Sequence, residues 1–397
     1  MNNKKILMLV AFIIVIAIAA FLMYGEMTGA LTLEAMFQTP MSGGTDLMYE
    51  ELQFGKNLDI WFMLMLVAFL MIFIKKFEWG VALAVLLSAA ASFVVYLGIQ
   101  DIYFDAVWNQ ALLIRAVICA ITVVIAIGVF LGTCKMWQYL LVGVAFAFVY
   151  SLVEYLLANL SIFGDFATDP GGSILVHMCA AYFGLGVAMG IRDKRAFDEP
   201  MYTTTHSVTF VWLASMLLWM LWPSFVTSLL DIENITWATI TCYMAGIGSI
   251  LSTYVICMVV QGKVNPLIYT YAMLCGPVAI GAPLLSVGPW GALVIGLIAG
   301  AVSTLCFIYL QPWFCKKIGV LDVMGVHNLH GVGGWMGAIF VTILVGSVAS
   351  LAMAAVVCVL TIITGLIVGV IVRFTRGDME KICDDEPDFI RNDEPVA

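Results

Sequence analysis

Twelve apolar runs of about 20 residues each divide this chain, and no other feature constrains its fold as strongly. They lie at approximately 5–24, 58–76, 79–100, 110–131, 136–160, 171–191, 206–228, 236–259, 264–285, 291–310, 322–346 and 350–373. A helix of that length crosses a hydrocarbon core of about 30 Å. A soluble domain of 397 residues could not hide a composition that is 63% hydrophobic and 11% charged. The alternating polarity that barrel strands need is absent. The sequence therefore predicts an all-α polytopic membrane protein with 12 transmembrane helices.

Charge gives the orientation. With the N-terminus in the cytoplasm, fifteen of the 17 basic residues fall inside. Lys56 falls outside, and Arg115 lies early in the fourth run. The C-terminus is then also cytoplasmic. The net charge is −9, and many of the acids, among them Asp46, Asp105, Asp165 and Asp231, face outside. Such a mouth attracts small cations, or basic residues were simply excluded from that side. The 10 cysteines lie in spans or on the reducing side, so they read as small apolar packers.

Two stretches suggest a repeat. Asp169 to His177 reads D-P-G-G-S-I-L-V-H, and Asp322 to Gly334 reads D-V-M-G-V-H-N-L-H-G-V-G-G. In each, a histidine, His177 or His330, follows the opening aspartate by eight residues. Runs 2–6 and 7–11 are five helices each, so the second half enters from the opposite side. Such inverted repeats place substrate sites at the midplane between halves. Eight residues put each histidine roughly 12 Å from its own mouth, so both approach the centre of the membrane. Asp169 and Asp322 suit helix capping, with Pro170 at a first helical position. Gly171, Gly172, Gly331, Gly333 and Gly334 let neighbouring helices come close.

A pair of imidazoles can hydrogen-bond each other and still present a donor or acceptor to a small polar molecule. Their proton can move near neutral pH. An ammonium ion crossing intact would pay heavily in lost hydration. Ammonia needs only a few weak polar partners. His327 breaks the mirror spacing and reads as a secondary pore candidate or a partner of the pair. His327 and His330, three residues apart, could also be two ligands of a metal site, but a third is not evident; no metal is expected. Glu154 is a carboxylate well inside a span, either a helix-packing hydrogen bond or part of a pathway. His206, at the membrane edge, reads as a solvated side chain. No G-x-x-x-x-G-K-[ST] loop, nucleophile–base set or basic patch is present, so no nucleotide, other cofactor, enzyme activity or nucleic-acid partner is expected.

The first run could be a cleaved signal, but it is long for one. A retained helix is the preferred reading. Residues 25–57 read as a long acidic external loop. The tail after Phe374 is short and charged, too short for a second domain.

Several segments resemble the Rhesus (Rh) branch of the ammonium transporter family. They are G-V-H-N-L-H-G at 325–331, the glycine-rich run at 291–314, L-W-M-L-W-P-S-F at 218–225, D-P-G-G-S-I-L-V-H at 169–177 and S-L-V-E-Y-L-L-A-N at 151–159. The resemblance runs from about residue 58 to 373. It implies an N-terminal helix and loop over 1–57, a channel domain over 58–374 and a cytoplasmic tail over 375–397. It also implies eleven family helices plus an extra first one, in a homotrimer with one pore per subunit in a cell membrane. The cargo would be ammonia or ammonium, and the tail could bind a regulatory partner. The family's twin pore histidines fall on His177 and His330, and its two aspartates on Asp169 and Asp322. Two stacked phenylalanines usually gate the outer pore entrance; this chain has Ile127 and Leu217 at the expected positions. Competing readings keep the pore but pass carbon dioxide or another neutral gas, or make the chain a non-conducting ammonium sensor or scaffold.

Overall fold

Long apolar helices dominate the computed structural model, which describes residue 17 and residues 44–74, 76–198 and 203–390. The first half contains α1 (Gly44–Met71), α2 (Glu78–Phe104), α3 (Gln110–Ile127) and α4 (Met136–Asn159). A π-helical segment, Ser173–Met178, then leads into α5 (Cys179–Ile191). The second half repeats the pattern with α6 (Thr205–Val226), α7 (Ile232–Gln261), a short pair α8 (Pro266–Ala272) and α9 (Cys275–Ile280), and α10 (Pro289–Leu305). After Cys306–Leu310 and α11 (Gln311–Ile318), a second π-helical segment, His327–Gly331, leads into α12 (Val332–Val345). Helix α13 (Ala349–Arg376) follows both halves.

Ten helices among the described residues are long and apolar enough to cross a membrane. Two expectations about the spans need correction. The ninth expected span is broken into α8 and α9. Pro277 has no N–H to give and crowds the carbonyl four residues back, so a helix cannot run straight through Met273. The expected external loop over 25–57 is helical from Gly44 onward, as the start of α1. Its buried face there is Gln53, Lys56 and Asn57, which is why an apolar scan begins the helix too late. The first expected span, 5–24, lies outside the described residues apart from position 17.

The two halves share their packing. In the first, α4 crosses α2 where a Cβ on Gly143 would stand 2.5 Å from the Ser88 carbonyl. In the second, α10 crosses α7 where a Cβ on Gly300 would stand 2.6 Å from the Ser249 carbonyl. A glycine of the fourth helix thus lies on a serine of the second in each repeat. With lipid as apolar as the side chains, such close backbone approach is what holds membrane helices together. Helices α5 and α13 meet in the same way, with Gly190 against the Leu366 carbonyl.

Loops at the two ends of the bundle differ in charge. One end carries Asp105, Asp165, Asp169 and Asp231; the other carries Lys76, Lys135, Arg192, Lys194, Arg195 and Lys263. At the basic end, Asp193 receives Arg195 at 2.7 Å and Arg376 at 2.8 Å. Burial pushes the Asp193 carboxyl up, but the Arg195 hydrogen bonds and the two guanidinium charges outweigh it and hold it below the usual carboxylate range. The described part of the tail packs on this end. The Asp385 carboxylate accepts the backbone N–H groups of Trp79 at 3.1 Å and Gly80 at 2.7 Å, at the start of α2.

Replacing Gly143 or Gly300 with valine is expected to destabilise the fold by about 1–3 kcal/mol through overpacking. Gly98 on α2 has open space beside it, so Gly98→Ala is expected to cost nothing. Thermal unfolding of the purified protein would separate the two classes.

Candidate functional site

The two π-helical segments carry the mirrored histidines. Each is anchored by its aspartate. Asp169 Oδ2 accepts the N–H groups of Ile174 at 2.9 Å and Leu175 at 2.8 Å. Asp322 accepts those of Val326 at 2.9 Å and His327 at 2.8 Å, one on each oxygen. The bonds reach four to six residues along the chain, farther than the two or three of an ordinary N-cap. Pro170 lies before the first helical turn rather than in it. Gly172, with φ of 81°, makes the left-handed bend that an L side chain resists. The π geometry widens the turn and is a recurrent mark of functional sites in helices.

These anchors aim the histidines at each other. His177 Nδ1 and His330 Nδ1 lie 3.1 Å apart. The ring centroids are 5.0 Å apart and the planes tilted by 30°. A hydrogen bond between two ring nitrogens requires one to carry the proton and the other the lone pair. His177 is buried, and its Nε2 has no partner.

A cavity of about 50 Å³ adjoins the pair. That is room for a few water-sized molecules, since one needs roughly 10–15 Å³. Its wall is almost wholly apolar: Met63, Val67, Ile121, Ile125, Leu218 and Leu274 are typical. Tyr271 also lines it, but its hydroxyl donates to the Leu70 carbonyl at 2.9 Å. Trp222 and Phe225 line the cavity and stand 5.6 Å and 6.2 Å from the His177 ring. The Trp222 indole N–H is buried without a partner.

The expected gate positions do not fit this wall. Ile127 is fully buried and Leu217 half-buried, and neither lines the cavity. On α3 and its C-cap the lining residues are Ile121, Ile125 and Gly128, at steps of four and three, and Ile127 is off that stripe. On α6 they are Leu218, Trp222 and Phe225, again one helical stripe; Leu217 is one residue off it. Trp222 and Phe225 are thus the aromatic groups of the wall that stand beside His177, and sequence reasoning missed them. The spacing 218, 222, 225 inside L-W-M-L-W-P-S-F was the available signal.

His327 is not on the cavity wall either. It stacks on Phe314 at 5.0 Å and meets the edge of Tyr182 at 5.7 Å. Glu154 lies between α4 and α2, where Tyr96 donates to it at 2.7 Å. That is a helix-packing bond, away from the cavity. His206 is exposed, with Phe210 at its edge.

The profile of the Ammonium Transporter Family matches residues 30–386. The chain belongs to that family. Within it, the likeness is to the Rh branch. Rh type A ammonium transporter of Canis lupus familiaris is 33% identical over 304 residues, covering 70% of this chain and 69% of the relative. That of Bos taurus is 32% identical over 272 residues, covering 65% of this chain. The match spans 62% of the bovine protein's own length and 49% of Rh type C of Oryctolagus cuniculus. The solved Nitrosomonas europaea Rh50 channel superposes with a TM-score of 0.83 at 31% identity, covering 87% of this chain and 94% of that one. In family terms, the inverted five-helix repeats meet at His177 and His330.

Asp169→Ala and Asp322→Ala are each expected to destabilise the protein by about 0.5–2 kcal/mol, the usual range for a lost cap. Asparagine, which keeps one acceptor oxygen, is expected to lose less at either position. Thermal unfolding of the four variants would read the order.

Proposed function

We propose that this chain conducts ammonia, drawn from ammonium, across a membrane through the cavity beside His177 and His330. The 3.1 Å hydrogen bond between the two rings, in an otherwise apolar wall, carries the reading. A bare cation in such a cavity would lose its hydration with no carboxylate to replace it. A neutral molecule with one lone pair and three weak donors fits what the wall offers. His177 Nε2 and the Trp222 N–H, both without partners, supply the polar contacts. Ammonium leaves its proton with water before the cavity, and the neutral molecule passes between the apolar faces of Trp222 and Phe225.

The same reading places the acidic end outside and the basic end, with the tail, in the cytoplasm. The membrane is then a cell membrane. The channel domain runs over 58–374, with the polar first turns of α1 packed onto it. Family resemblance argues for a homotrimer with one such cavity in each subunit. The tail docked at Asp385 offers a place for a cytoplasmic regulatory partner.

Purified protein in liposomes loaded with a pH dye provides the test. An ammonium pulse is expected to change internal pH faster than in empty liposomes. His177→Leu or His330→Leu is expected to slow that change by about tenfold or more, equivalent to about 1.4 kcal/mol of barrier. Acceleration only by a carbon dioxide pulse would move the cargo to a neutral gas. Silence with both would leave a sensor or scaffold.

A further inference from the structure

The cavity-facing stripe of α1 continues past the cavity and changes character. Gln53, Lys56, Ile60, Met63, Val67 and Leu70 recur every three or four residues and so share one helix face. Met63, Val67 and Leu70 line the cavity. Lys56 stands seven residues earlier than Met63, about 10 Å along the axis toward the acidic end.

Lys56 is only 5% exposed. Its Nζ donates to the Thr227 carbonyl at 2.7 Å. No carboxylate among the described residues pairs with it. Asp59, one turn on, is engaged by the Ser224 hydroxyl at 2.6 Å. Thr227 closes α6 two residues beyond Phe225, which lines the cavity beside His177. The buried ammonium group is therefore held on the acid-end side of the cavity, two residues past Phe225. Around it are polar atoms with nothing to bond. Gln53 is fully buried with both amide atoms unpartnered, and Asn57 Oδ1 is unpartnered as well. Buried polar groups left this way are uncommon and suit a small polar visitor.

We propose that Lys56 is a tethered ammonium group that takes the carbonyl position an arriving cation would otherwise use. Its charge repels ammonium at the approach to the cavity, while Gln53 and Asn57 receive the neutral molecule. Lys56 is thus a specificity-determining residue that makes the cavity electroneutral. The proposal rests on the conduction reading above.

The test compares ammonium-driven pH change in proteoliposomes at one pH, with and without a negative-inside potassium diffusion potential of about 100 mV. A neutral cargo ignores the potential. A cation crossing the whole field is biased by up to about 50-fold at that potential. The unaltered protein is expected to show equal rates in both conditions. In Lys56→Met, ammonium drawn in by the potential carries its proton with it, so the internal alkalinisation is expected to slow several-fold or reverse under the potential; Lys56→Arg, which keeps the charge, is expected to show no such change. Lys56→Gln retains a donor for the Thr227 carbonyl and gives the same reading should the methionine variant fail to fold. Potential-blind rates in the uncharged variants, or a potential-driven rate in the unaltered protein, would overturn the role of Lys56 while leaving conduction intact. A protein that conducts nothing in either condition would overturn both.

Discussion

One hydrogen bond between two imidazole rings holds a position that neither half of this protein could create alone. His177 arrives from one end of the bundle and His330 from the other. Each ring is aimed by a short π-helical segment, and each segment is fixed by a carboxylate that binds backbone N–H groups. The chain of cause is short. The aspartate holds the segment, the segment turns the ring, and the ring meets its counterpart. Moving any link would separate two groups whose contact depends on tenths of an ångström.

Close backbone approach keeps that meeting point narrow. Ser173, at the first π-helical segment, donates to the Val278 carbonyl at 2.7 Å and accepts from Ala282 N–H at 2.8 Å. Gly334 brings α12 onto the Ser173 carbonyl, where a Cβ would stand 2.6 Å away. The broken pair α8 and α9 matters here as well. Helix α9 ends at Ile280, and near that end the Val278 carbonyl is within reach of Ser173. A small cavity is the result, too tight for a hydrated ion and lined by groups that cannot replace its water.

Much of the site was legible in the sequence, because its signals are local. An aspartate eight residues before a histidine, twice over, survives any detail of packing. Those signals named His177, His330, Asp169 and Asp322. The residues that were missed depend on helix phase. The resemblance put Ile127 and Leu217 at a gate of the outer entrance, and neither is on the wall beside the histidines; a shift of one or two residues on a helix turns a side chain by 100° or more. Trp222 and Phe225 occupy the wall because they share the stripe of Leu218. His327, three residues from His330, also has a different outlook: its ring packs on Phe314 and Tyr182 and is not part of this cavity's wall.

The sequence by itself determined that the chain crosses a membrane as helices, that its two halves insert in opposite senses, and that a histidine from each approaches the middle. Hydropathy, charge and spacing act along the chain, so they can be read along it. Only the tertiary structure decided where α1 begins, because Gln53, Lys56 and Asn57 are polar by type yet buried by their neighbours. Only it decided which face of α3 and of α6 meets the cavity. Those outcomes depend on contacts between distant segments, such as Lys56 and Thr227, 171 residues apart, and no local pattern encodes them.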